Sequence, residues 1–157
     1  MDVASFADIE QDFNKRVSTI VWCLMTTVDS KGRPRSRVIH PVWEGATGYC
    51  LTGPESFKAK QLAKNPNASF GYWSVEHGLV IADCVTSWEP GSAEKQRIWD
   101  LFKNTPAPYG YDPSMFFQGG AADHGFGVLT LKPWRIELHG LQELMAGTPP
   151  RVWRQAV

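Results

Sequence analysis

Lys58 stands in the first turn of "GPESFKAKQLAKNP", a stretch that reads as a short helix. Gly53-Pro54 marks a loop, Ser56 is a good N-cap, and Ala59, Leu62 and Ala63 recur at helical spacing before Asn65-Pro66 ends the run. A helix start is the positive end of the macrodipole, so a cation there costs ~0.3–1 kcal/mol. An anion nearby reverses that balance, because a phosphate takes both the free backbone N–H groups and the ammonium. A second cation lies upstream in "PRSRVIHPVW", where strand alternation puts Arg35, Arg37 and Ile39 on one face. Two arginines on one strand face need solvent or an anion. The helix starts just after the neighbouring strand, so Arg37 and Lys58 can converge on one phosphate, one as a planar fork and the other as a point charge. The plainer alternatives are a solvated lysine face with Lys60 and Lys64, and an exposed edge-strand arginine.

Other chemical signatures are weak. Asp123-His124 has no ligand spacing with His40, His77 or His139, so no metal site is expected. No serine stands in a nucleophile elbow, and there is no P-loop or Gly-rich dinucleotide fingerprint. Cys23, Cys50 and Cys84 form no CxxC pair and lie in apolar strand-like runs, which reads as buried reduced thiols in a cytosolic protein.

The elements that must position the two cations are mostly strands. Phe6, Ile9, Phe13 and Val17 mark a short amphipathic helix. "STIVWCLMTTV" reads as a strand buried on both faces, "DSKGRP" as a turn, and "PRSRVIHPVW" as the returning strand, with Pro41 at an edge or bulge. "YCLT", "NASFGYW" and "LVIADCVTSW" are further strands, and Ile98, Leu101 and Phe102 mark another helix. "GVLTLKPWRIELHGLQEL" reads as one long strand interrupted at Pro133, with Trp134, Ile136 and Leu138 on a core face and Arg135, Glu137 and His139 on a polar one. Between them, residues 105–126 are irregular and rich in Pro, Gly and aromatics. Tyr109, Tyr111, Phe116 and Phe117 argue for a packed loop there. Meandering strands with few short helices predict a β-barrel or β-rich α+β domain.

The chain has 157 residues, which fits one domain over 1–157. Its 16 basic and 16 acidic residues cancel, which argues against general nucleic-acid binding. No stretch is apolar for long enough to span a membrane, and the acidic, amphipathic N-terminus is unlike a signal peptide, so a cytoplasmic location is expected.

The order "GRPRSRVIHPVW", "GYCLTGPESFKAKQLAKNPNASFGYW" and "KPWRIELHG" resembles the pyridoxamine 5′-phosphate oxidase-like flavin-binding split-barrel superfamily, over roughly residues 17–140. The resemblance implies a six-stranded antiparallel split β-barrel, mostly β with short helices, forming a homodimer with cofactor sites at the interface. It implies an oxidoreductase using FMN, or alternatively the deazaflavin F420, for hydride transfer to or from a small molecule. Carried over by position, Arg37 and Lys58 match residues holding the cofactor phosphate, and Val38 and Ile39 match backbone contacts to the ring. Leu51 and Thr52 match the strand end lining the ring, and Ser56 falls in the phosphate loop. His139 stands where the oxidases carry a ring-side Trp. The Arg/His motif that grips pyridoxal phosphate is missing after "RIELHG", and Phe57 replaces an Arg, which sets the chain apart from true pyridoxamine phosphate oxidases. No catalytic side chain is named, since the cofactor carries hydride chemistry. Trp43, Trp73 and Tyr109 are candidates for a substrate cleft, with core packing the plainer reading for Trp43 and Trp73. A non-catalytic flavin or haem carrier, a stress-associated protein, or a cofactor-free structural dimer on the same fold are the alternatives.

Overall fold

A computed structural model describes residues 1–155. After a short 3-10 turn, α1 (Glu10–Ile20) buries Phe13 and Val17, with Ile9 just before it, on one stripe. The strands are β1 (Cys23–Val28), β2 (Pro34–Ile39), β3 (Val42–Glu44), β4 (Thr47–Thr52), β5 (Asn67–Trp73), β6 (Leu79–Trp88), β7 (Gly127–His139) and β8 (Arg151–Arg154). The other helices are α2 (Phe57–Leu62), α3 (Ser92–Asn104) and α4 (Leu141–Met145). All eight strands join one sheet in the order β2-β1-β5-β6-β7-β4-β3, with β8 also on β7, and every pairing of these strands is antiparallel. The sheet curls into a half-closed split barrel around Met25, Phe70, Tyr72, Val80, Leu131 and Ile136.

The count of eight against an expected six has two causes. His40-Pro41 interrupts the returning strand, leaving β3 as a separate piece that pairs with β4 rather than β1. Pro lacks an N–H and cannot extend a ladder. The other addition, β8, comes from the C-terminal stretch after α4, to which the sequence reading assigns no element; the expected long strand ends at His139, and the residues after it form α4.

Two further expectations are corrected. "STIVWCLMTTV" is not one strand buried on both faces: α1 runs through Ile20, and β1 alternates, with Leu24 exposed. Trp134 is not on the core face. The β6–β7 register runs Asp83↔Arg135 and then Cys84↔Pro133, so Trp134 is an extra, unopposed residue. A bulge of this kind resets the alternation and turns a side chain outward. Ile136 and Leu138 remain buried, while Trp134 is exposed. At the same place β7 changes neighbours, from β4 (through Leu131↔Gly48) to β8 (from Arg135↔Arg154).

Candidate functional site

Arg37 projects from β2 across β1 towards α2. Its Nη1 donates to Thr27 Oγ1 at 2.7 Å and to the Met25 carbonyl at 3.3 Å, and its Nη2 donates to Gln61 Oε1 at 3.0 Å. Thr27 is fully buried and donates onward to the same Gln61 oxygen at 2.6 Å. Gln61 is one turn along α2 from Lys58, on the same side of the helix. The guanidinium is thus fixed against α2, and its charge is felt at Lys58. Burial holds the Lys58 ammonium below the ordinary lysine range; Cys50 opposes this, and Arg37 adds a smaller lowering effect. Burial, and then Arg35, likewise lower Arg37. Among the described residues no carboxylate contributes to either shift, and neither cation has a carboxylate in ion-pair contact. Ser56 caps α2, its hydroxyl accepting from the Ala59 N–H at 3.4 Å.

Two residues beyond Arg37 along β2 lies a cavity of about 520 Å³. Ile39 follows Arg37 on the same face of β2, and Leu51 and Thr52 end β4; all three line the cavity. Trp22 and His40 form one side of it, and Tyr111, Phe116 and Phe117 reach over from the long loop. The His40 ring lies between Trp22 and Tyr111, at 4.8 and 4.9 Å between centroids. Its Nε2 is 2.7 Å from the Tyr109 carbonyl. Desolvation holds the imidazole below its ordinary value, against the raising effect of that bond.

The structure therefore gathers Arg37, Ile39, Leu51, Thr52, Ser56 and Lys58 along one strand-to-helix corner. Val38 points the other way, to the exposed outer face, as alternation demands. His139 lies at the far end of β7 from Gly127, the residue that pairs with Thr52, so within one chain it does not reach this corner. Its Nε2 is buried without a partner. Of the aromatic cleft candidates, Trp43 is core, with Nε1 donating to Tyr72 Oη at 2.9 Å. Tyr109 packs there too, its hydroxyl accepting from the Trp43 N–H at 2.7 Å, and Trp73 is exposed. Burial pushes all three thiols up, Cys23 to about 12, which leaves them inert. Sequence reasoning missed Thr27, Gln61, Trp22 and His40. Thr27 had a usable signal, because a hairpin through "DSKGRP" sets it opposite Arg35, close to Arg37 on the same face.

No protein-family model matches the sequence, and no curated protein matches it. Solved structures do. The chain is similar to a protein related to general stress protein 26, of the pyridoxinephosphate oxidase family, from Clostridium acetobutylicum, with 10% identity, a TM-score of 0.75, and 96% of each chain covered. It is similar to general stress protein 26 from Bacillus anthracis, with 17% identity, a TM-score of 0.62, and 80% of this chain and 92% of that one covered. It is also similar to HutZ, described as a haem storage protein, from Vibrio cholerae, with 18% identity, a TM-score of 0.61, and coverage of 80% and 89%. At these identities the likeness is one of architecture: the chain shares the split-barrel fold of these structures. No helix among the described residues is long and apolar enough to cross a membrane.

Proposed function

We propose that the protein is an oxidoreductase that binds FMN, or alternatively F420, as a homodimer in the cytosol. The observation that carries this reading is the convergence of Arg37 and Lys58, free of carboxylate partners among the described residues, at the edge of an apolar cavity. Two half-buried cations held together repel each other and are costly to desolvate unless an anion joins them. The donor set fits a phosphate, and the neighbouring cavity is of a size and polarity that suit a flat ring system.

In this reading Arg37 and Lys58 hold the phosphate, and Ser56 orders the loop beside it. Ile39, Leu51 and Thr52 line the ring, and Val38 contributes backbone. The bound cofactor would supply hydride transfer, while the chain binds it, orients it and keeps water away from the ring. His139 enters the site only from a second copy. Trp22, which lines the cavity, continues onto an exposed apolar face suited to that copy. A cofactor carrier without turnover is the second reading, favoured by the likeness to a haem storage protein.

The test is titration of the full chain with FMN, F420 and haem in parallel, followed by absorbance, on wild type and on Arg37→Ala/Lys58→Ala. The double variant should lose several kcal/mol of FMN or F420 affinity, since charge-assisted contacts are worth ~1.5–3 kcal/mol each. Equal affinity in both proteins would refute the phosphate assignment. Haem binding with neither flavin nor deazaflavin binding would favour the carrier.

A further inference from the structure

The cavity beside the two cations has no charged side chain of its own. Ile39 and Leu51 give it an apolar floor, and Trp22, Tyr111 and Phe116 give it aromatic walls. Its one imidazole, His40, is held in a defined state. A carbonyl only accepts, so the 2.7 Å contact to the Tyr109 oxygen requires the proton on Nε2. Burial holds the imidazole below its ordinary value and so favours the neutral ring, and with the proton on Nε2 the lone pair is on Nδ1. Among the described residues Nδ1 has no hydrogen-bond partner, yet the only buried side-chain N or O atom left orphaned there is His139 Nε2. Nδ1 is therefore not sealed, and the ring that carries it lines the cavity.

We propose that this cavity takes an uncharged, flat aromatic substrate bearing a hydroxyl or N–H group, and that His40 accepts that hydrogen bond at Nδ1. The inference rests on the cofactor reading above, in which such a substrate stacks against the ring. A flat molecule suits the aromatic walls, and a charge placed among them would lose its hydration with no counter-charge in the lining; for a cation the ring faces offset part of that loss, but Arg37 and Lys58 at the cavity edge repel it. An apolar molecule without a donor would leave Nδ1 unsatisfied once water was expelled, so a buried acceptor selects for a donor.

The test is calorimetric titration of the full chain, cofactor-free and cofactor-saturated, with three probes: 2-naphthol, 2-methoxynaphthalene and trimethyl(2-naphthyl)ammonium. In both states 2-naphthol should bind more tightly than its methyl ether by about threefold to tenfold, the worth of one neutral hydrogen bond. The cation should bind most weakly. His40→Phe should bring the naphthol-to-ether ratio to about one, as expected when a neutral acceptor is lost. His40→Asn should restore a preference, because its Oδ1 can take the place of Nδ1. Equal binding of naphthol and ether by wild type would overturn the proposal, as would tightest binding by the cation, or loss of naphthol binding on cofactor saturation. The wild-type comparison needs no variant, so a poorly folded His40→Phe leaves it intact. Should neither FMN nor F420 bind while the naphthol preference persists, the cofactor reading alone fails.

Discussion

Lys58 shows how a binding residue weakens the fold that carries it. Its ammonium is half-buried, within electrostatic reach of the Arg37 guanidinium and in the first turn of α2, three circumstances that all disfavour the charge. Its pKa is therefore lower folded than unfolded. Between those two values the unfolded chain binds more protons, so the stability of the cofactor-free protein should rise with pH through that window, below the ordinary lysine value of 10.5. Lys58→Met removes the charge and keeps the stem. The variant should raise the denaturation midpoint of the cofactor-free protein at neutral pH, by about 0.3–1 kcal/mol from the helix-start contribution. It should also flatten the alkaline rise. Added cofactor should then stabilise wild type more than the variant, since only a ligand that binds the native state shifts the midpoint. A lower midpoint for Lys58→Met without cofactor would show that the ammonium has a stabilising partner and is not a group waiting for an anion.

Among the elements, the loop over residues 105–126 decides whether there is a cavity at all. It is anchored where it leaves α3. The Tyr111 N–H donates to the Phe102 carbonyl at 3.0 Å, and the Gly110 N–H donates to that of Pro106 at 2.9 Å. Gly110 lies so close to α3 that a Cβ would come within 2.0 Å of the Thr105 carbonyl and 2.6 Å of the Phe102 carbonyl. Backbone cannot yield there as a side-chain tip can. Gly110→Ala should cost about 1–3 kcal/mol, as overpacking does, and should displace Tyr111 and Phe116 from the cavity. Naphthol affinity should fall, while phosphate binding at Arg37 and Lys58, on β2 and α2, should survive; equal loss of both would mean that the loop supports the whole corner. The loop also marks the limit of what the sequence makes legible. Helix α2 with its Ser56 cap, and the strands β5 and β6, follow from caps, proline stops and β-branched runs, all local signals. Arg37 facing α2 follows from period-two alternation. The seating of Tyr111 against His40 depends on a close approach between distant segments, which no local pattern encodes. The outward turn of Trp134 depends on a bulge that is invisible until β6 and β7 pair.

At the scale of the molecule, the outer face of β2, β1 and β5 is the unresolved account of hydrophobic surface. Trp22, Leu24, Val38 and Trp73 are 58, 53, 62 and 58% exposed. Leu24 and Val38 are directly paired across β1 and β2, and Gly71 lies opposite Leu24 on β5, leaving a shallow trough between larger side chains. The next residues across that row, Ile81 and Glu137, lead to the Arg135–Asp83 and Arg135–Glu137 ion pairs on the same face. An apolar patch with a polar margin is the anatomy of an interface. With a formal net charge of zero, long-range repulsion does not oppose association. Trp73, Leu79 and His139 form one cross-strand row, so a second copy docked on this face would lie over His139. Leu24→Glu/Val38→Glu places carboxylates at the centre of that contact. Because both positions are exposed within one chain, each change should alter the stability of the single fold by no more than about 0.5 kcal/mol. Sedimentation should show wild type as a dimer and the double variant as a monomer, with cofactor affinity reduced at least about tenfold, or 1.4 kcal/mol, in the monomer. A dimer that persists in the variant would move the interface elsewhere. A monomeric variant with undiminished cofactor affinity would show that one chain completes the site and that His139 plays no part in it.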